Sequence, residues 1–358
     1  MGRLFGAVKD LQTCSESVKE TGLPVYIYGM GSGGEKVLAW CREHGIEVRG
    51  VFASDGFVRG QSFCGYRVMT LREAEEREGR LTVLLAFGSE LKEVMAKVES
   101  IENRHPLFAP DTAVIGSGFF DREELFKNID RAEKALELFE DGLSQKTFIG
   151  LTAFKLTGRL SFLREIFCDE KKPSPLLELG KEEVCCDLGA YNGDTVSGFV
   201  RAAGGYKKIY AMEPEKRNFQ KLVRNTAGLD DIELINCAAW AYDTTLAMEG
   251  GSGRQARLTP QTGDLAAGIA ARSLDSVLCG RECTYIKYDV EGADIPALEG
   301  SAGTIKRYRP KLCCALYHRC YDYIDIPLYI SERFGYKKFF IRQAPYYPAW
   351  ETELYAVH

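Results

Sequence analysis

The chain has 358 residues, 45% of them hydrophobic and 27% charged, with a formal net charge of -5. That length suits two globular domains better than one, and the balance excludes a disordered or fibrous chain. The negative charge gives no electrostatic case for nucleic acid or an anionic membrane as main partner, and no stretch approaches the roughly 18 apolar residues of a membrane span.

The first residues, Met1 to Asp10, carry charges and lack the apolar core of a secretory signal, so a cytoplasmic chain is expected. Pro24 to Tyr28 reads as a buried strand running into Gly29-Met30-Gly31-Ser32-Gly33-Gly34. A helical pattern follows over Glu35–His44, then a strand over Glu47–Phe52 that ends at Ala53-Ser54-Asp55. Leu81–Phe87 reads as a third strand and Glu90–Ile101 as a helix. Alternating strands and helices imply a parallel sheet, so residues 1–120 are expected to form a Rossmann-like domain. Gly29, Gly31 and Gly34 fit G-x-G-x-x-G, and Asp55 falls where a ribose-binding acid would stand, which marks a second nucleotide site. Close packing of the turn without any ligand is the competing reading.

Residues 121–175 read as a helical connector, with Leu136, Phe139, Leu143, Phe148, Leu151 and Phe154 at helix-like spacing and a break at Lys171-Lys172-Pro173. Residues 176–358 form the second domain. Its expected strands are Glu183–Leu188, Lys208–Met212, Glu233–Cys237, Thr284–Tyr288, Lys311–Tyr317, Tyr336–Arg342 and Glu353–Val357. Residues 249–268, rich in Gly, Thr and Gln, read as a loop or short hairpin over the site.

The densest signal is Asp187-Leu188-Gly189-Ala190-Tyr191-Asn192-Gly193-Asp194-Thr195, a strand end that passes into a glycine turn and a helix. Glu213 ends the next strand about twenty residues on and can accept both hydroxyls of a ribose. Acids at Asp187 and Asp194 would repel a pyrophosphate and suit a sulfonium and an amino group. This charge pattern favours S-adenosylmethionine (SAM) over a dinucleotide. The expected cofactor contacts are Asp187, Gly189, Tyr191, Gly193, Thr195 and Glu213, with Asn236 and Ala238 beside the adenine. The glycines are expected to admit the ligand close to the backbone.

Lys287, Asp289 and Glu291 alternate along a second strand end, which places three charges on one face at the ligand crevice. His318, at the next strand end, is expected beside Asp289 and is a candidate general base. Asp289, Glu291 and His318 could instead hold a divalent cation, although no ligand spacing fixes one. No metal is expected from the cysteines, which lack zinc spacing and read as reduced thiols.

Together these residues resemble the FkbM family of SAM-dependent methyltransferases. The resemblance runs from about Leu136 to the C-terminus. It rests on Ser144-Gln145-Lys146-Thr147-Phe148, the Asp187–Thr195 run, Glu213-Pro214, Ser273-Leu274-Asp275, Ile286–Gly292, Tyr317-His318 and Glu351–Tyr355. It implies a seven-stranded class I sheet, SAM as cofactor and methylation of a hydroxyl on a sugar, nucleotide-sugar or related small molecule. Apart from the resemblance, the first domain could serve as the surface of a homodimer. Gln343 departs from the family's Arg-His pattern. The competing functions are an NAD(P)-linked oxidoreductase or epimerase working at Gly29–Gly34 and Asp55, and a non-catalytic binding protein on a SAM fold.

Overall fold

The structure is a computed structural model that describes residues 2–170, 172–249, 257–260 and 268–358. Near the N-terminus lie β1 (Val25–Tyr28), β2 (Val48–Ala53), β3 (Ser62–Phe63), β4 (Tyr66–Thr70), β5 (Thr82–Leu85) and β6 (Leu107–Phe108). They form a sheet of order β3-β4-β2-β1-β5-β6. All but the β3/β4 pair are parallel. Every residue of β1 and β5 is buried, as in a parallel sheet covered on both faces. The sequence reading finds β1, β2 and β5 but not β3, β4 or β6. Two of those have only two residues, and β4 mixes buried and exposed positions without a clean period.

Four helices follow, Arg122–Lys127, Ile129–Glu137, Gly142–Thr157 and Leu160–Arg164. Helix Gly142–Thr157 is N-capped by Asp141 and ends on the left-handed Gly158. It buries residues on every side because it lies inside a common core. One continuous apolar cluster runs from Tyr28, Phe52 and Val83 through Phe148, Leu151 and Phe154 to Ile286, Leu312 and Phe339. Phe148 and Tyr323 meet ring to ring at 5.0 Å. What reads in the sequence as a connector is therefore the shared interior of both sheets.

The C-terminal half holds β7 (Val184–Leu188), β8 (Lys208–Met212), β9 (Ile232–Ile235), β10 (Ala238–Ala239), β11 (Thr244–Glu249), β12 (Arg257–Pro260), β13 (Ile269–Arg272), β14 (Tyr285–Tyr288), β15 (Lys311–Ala315), β16 (Lys338–Gln343) and β17 (Thr352–Val357). The main sheet has the order β16-β17-β15-β14-β7-β8-β9, seven strands as expected. β17 alone runs opposite to the other six strands, pairing antiparallel with β15 and β16. From β7 the chain winds outward through β8 and β9, then crosses back to β14 on the other side of β7. The C-terminal ends of β7 and β14 therefore flank the topological switch point, where open α/β sheets bind ligands. A smaller sheet, β10-β13-β11-β12, was not foreseen. Within it β11 and β12 pair antiparallel, as a hairpin requires, while residues 250–256 and 261–267 lie outside the described residues.

Candidate active site

The turn after β7 is built by chain packing. Gly189 has φ +90°, and a Cβ there would stand 1.9 Å from the carbonyl oxygen of Asp289. Gly193 also has φ +90°, and its Cβ would press on Leu222 and Thr226. Neighbouring chain thus constrains both glycines, Gly189 the more tightly. The consequence is specific: the closeness of Gly189 to Asp289 locks the cofactor turn onto the catalytic candidates.

The acids at this turn are held in place. Asp187 is 2% exposed, accepts a hydrogen bond from Thr195 Oγ1, and faces Lys287 Nζ at 3.9 Å. Its Oδ1 has no hydrogen-bond partner among the described residues. Burial pushes its carboxyl up, against the pull of Lys287 and Thr195. Glu213 accepts from the Tyr191 N–H at 3.0 Å and the Glu215 N–H at 2.8 Å. Burial raises it to about 6 despite these bonds, and the charges of Glu215 and Glu291 add to the rise. Asn236 donates its amide to the Glu213 carbonyl at 2.8 Å and the Pro214 carbonyl at 3.2 Å, so it braces the acid's turn. Ala238 is 4% exposed and packs with Leu246 and Ala271 in the core of the small sheet. Tyr191, half exposed, carries Lys221 Nζ 5.6 Å from its ring.

The second cluster gathers on β14 and β15. Lys287 Nζ lies 3.2 Å from Asp289 Oδ2. His318 Nε2 is 3.2 Å from Asp289 Oδ1, and the Tyr317 hydroxyl donates to that same oxygen at 3.3 Å. The sequence reading thus pairs Asp289 with Lys287 and His318 correctly. It places Glu291 wrongly. The strand ends at Tyr288, and Glu291 sits exposed in the following turn at φ +52°, so the alternation stops at Asp289.

Burial opposes charge on Asp289, yet Lys287 and His318 outweigh it and hold the carboxyl well below the usual range. Burial likewise opposes charge on Lys287 and is outweighed by Asp289 and Asp187. His318 is 1% exposed, and its Nδ1 meets Asp294 Oδ2 at 3.3 Å. Burial would lower it, but the two carboxylates drive it well above the ordinary imidazole value. His318 thus meets a carboxylate on each nitrogen, Asp289 on Nε2 and Asp294 on Nδ1.

These features converge on one chemistry. An acid-lined turn, a ribose-ready carboxylate and a charged strand end meet at the switch point of a seven-stranded sheet. Residues 187–338 match the family model described as the methyltransferase FkbM domain. This stretch of the chain is an FkbM methyltransferase domain. The FkbM methyltransferase from Methylobacillus flagellatus KT is 20% identical, covering 99% of this chain and 98% of its own with a TM-score of 0.71. At that identity the likeness is one of fold, and it takes in the N-terminal sheet. An rRNA methylase from Streptococcus thermophilus is 14% identical over 50% of this chain and 88% of its own, with a TM-score of 0.33 that carries no argument. No curated protein matches the sequence.

The FkbM domain uses SAM, and the site fits it. Asp187 is a buried acid whose Oδ1 accepts no hydrogen bond among the described residues and has Lys287 Nζ at 3.9 Å, and Glu213 stands at the end of β8, the position at which sheets of this kind accept a ribose. Two features escaped the sequence reading. Tyr317 is adjacent to His318, and that adjacency was its only signal. Asp294 and Asp322 flank His318 from the first turns of one helix before it and one after it in the chain. Gln343 is fully buried and accepts from Thr352 Oγ1, so its departure from the family pattern serves packing.

The first glycine turn is different. A Cβ on Gly33 would stand 2.0 Å from the Ala86 carbonyl oxygen, and Cβ atoms on Gly29 and Gly34 would press on Phe87 and Phe63. Only Gly31 of the fingerprint faces open space, and Asp55 is exposed in a short 3₁₀ turn. The helix after this turn has another use. Lys36 Nζ donates to the carbonyls of Ala113 at 2.7 Å and Val114 at 2.6 Å. The next amide, Ile115 N–H, donates to the His318 carbonyl at 3.1 Å.

Proposed function

We propose that the protein transfers a methyl group from SAM to a hydroxyl of a carbohydrate, nucleotide-sugar or related small molecule. The observation that carries this reading is the Lys287–Asp289–Tyr317 cluster lying directly behind the Asp187–Thr195 turn, with Gly189 against Asp289. Asp187, Tyr191, Thr195 and Glu213 hold the cofactor, and Gly189, Gly193 and Asn236 keep that turn in shape. Bound there, SAM supplies an electrophilic methyl on a sulfonium. Asp289 stays ionised and accepts the hydrogen bond of the acceptor hydroxyl, while Lys287 and Tyr317 fix its carboxylate. A weak base suffices, because the hydroxyl becomes strongly acidic as its oxygen is alkylated. Most of the acceleration then comes from alignment. Glu291, exposed at the rim, contacts the acceptor.

We assign residues 1–120 to acceptor recognition and bracing, residues 121–175 to the shared core, and residues 176–358 to chemistry. All 12 cysteines are unpaired, which supports a cytoplasmic setting. Among the described residues no helix is long and apolar enough to cross a membrane.

The test is calorimetry with SAM and with NAD, followed by a screen of sugars and nucleotide-sugars for protection against thermal unfolding. SAM heat with a protecting sugar, and mass gain of that sugar on incubation, is the expected result. NAD binding without SAM heat would overturn the reading in favour of an oxidoreductase.

A further inference from the structure

We propose that Asp294, His318 and Asp322 bind a divalent transition-metal cation behind the catalytic face. Asp294 opens helix Asp294–Glu299, His318 follows β15, and Asp322 opens helix Asp322–Phe334. One ligand atom from each lies within 4.8 Å of the other two. The three residues are 2%, 1% and 7% exposed. Acids at helix starts are common, because the helix dipole favours them. Two further observations point to a ligand here.

First, Asp294 Oδ1 is buried without a hydrogen-bond partner among the described residues. As an ionised oxygen it lacks a donor, and a proton placed on it would be a donor lacking an acceptor. Either state carries the cost of an unsatisfied buried polar group. A cation satisfies the oxygen directly.

Second, the surroundings are those a metal-binding histidine has. His318 turns Nδ1 to the acid pair and Nε2 to Asp289 at 3.2 Å. A metal-bound imidazole usually donates its other N–H to a carboxylate, which fixes its orientation. Asp322 is likewise oriented, since its Oδ2 accepts the Arg319 N–H at 2.7 Å. One imidazole with two carboxylates suits manganese, iron or zinc better than magnesium or calcium. With the cation bound, His318 is neutral and donates Nε2–H to Asp289, so it acts as a positioning residue. Sequence reading suspected a cation on His318 with Asp289 and Glu291. The geometry points to a different pair of acids.

The experiment needs neither SAM nor acceptor, so it fails or succeeds independently of the proposed function. The full chain is purified without chelator and its metal content is measured by mass spectrometry. About one equivalent of manganese, iron or zinc is expected, with a fall in Tm on chelation that added Mn²⁺ or Zn²⁺ reverses. Asp322→Asn should lose the metal and the chelator response while remaining folded. If that variant does not fold, the wild-type chain still decides. A folded wild-type chain without stoichiometric metal, whose Tm does not rise with Mn²⁺, Zn²⁺ or Co²⁺, overturns the site.

Discussion

Two glycine-rich turns, each joining a parallel strand to a helix, serve opposite ends in this molecule. After β1, the turn that matches the dinucleotide pattern is filled by its own chain: Ala86, Phe87 and Phe63 take the space that missing Cβ atoms leave. After β7, the looser turn is also packed, against Asp289, Leu222 and Thr226, yet buried acids gather beside it. Glycine spacing therefore reports where backbone passes close to something, and in both turns that something is protein. The charges around the turn carry the ligand chemistry. Asp187 and Glu213 stand buried at the second turn, while the first offers only an exposed Asp55.

This contrast can be broken by matched substitutions. Gly189→Ala should be the most damaging. It adds a strained left-handed residue and a clash with the Asp289 carbonyl, costing about 3–5 kcal/mol. Thermal unfolding should show a large drop and calorimetry no SAM binding. Gly31→Ala at the first turn meets no neighbour and should cost only about 1–2 kcal/mol from its left-handed backbone, with SAM affinity unchanged. Equal damage from the two would dissolve the contrast.

Glu213→Gln should weaken SAM by about 10–100-fold, as expected for losing hydrogen bonds to a charged acceptor. Asp55→Asn should leave SAM binding as it was, and a shared effect would mean the two turns form one site.

The pH profile sharpens the comparison further. Burial raises Glu213 to about 6 in the folded protein, above its unfolded value, and under the proposed function SAM binds its ionised form. SAM affinity should therefore fall by about tenfold per unit once pH drops below 6. Unliganded stability moves the other way for this group. The folded state holds the proton more tightly, so its contribution is fully present below the unfolded value and is lost as pH rises through 6. In Glu213→Gln the affinity step near pH 6 should vanish, and its persistence would assign the step to another group.

The smallest effect belongs to the brace between the halves. Lys36→Met removes two donors to the Ala113 and Val114 carbonyls and should cost about 1–2 kcal/mol. Hydrogen exchange at the Ile115 amide, which bonds the His318 carbonyl, should quicken with SAM affinity unaltered. Unchanged exchange would separate the first sheet from the active site.

Much of this was legible in the residues themselves. Strand β7, its glycine turn and Glu213 follow from local order, because an apolar run that ends in an acid and a glycine leaves little choice of conformation. The seven-stranded sheet follows from the spacing of its apolar runs. Lys287 and Asp289 share a face because side chains alternate along a strand. What lay beyond reach depended on contacts between distant segments. Glu291 left the strand face because the backbone turned one residue after Asp289, and alternation cannot report where a strand stops. Gly189 proved to need its missing Cβ for a carbonyl 100 residues away in the chain. His318 was placed beside Asp289 by strand order, but only tertiary structure put Asp294 on its other nitrogen. The sequence by itself determined which strands carry the chemistry and with what charges, since those are properties of short segments. Only the tertiary structure decided which charges face each other, which glycines are filled by protein and what stands on each nitrogen of His318, because proximity across a fold is fixed by packing and not by order along the chain.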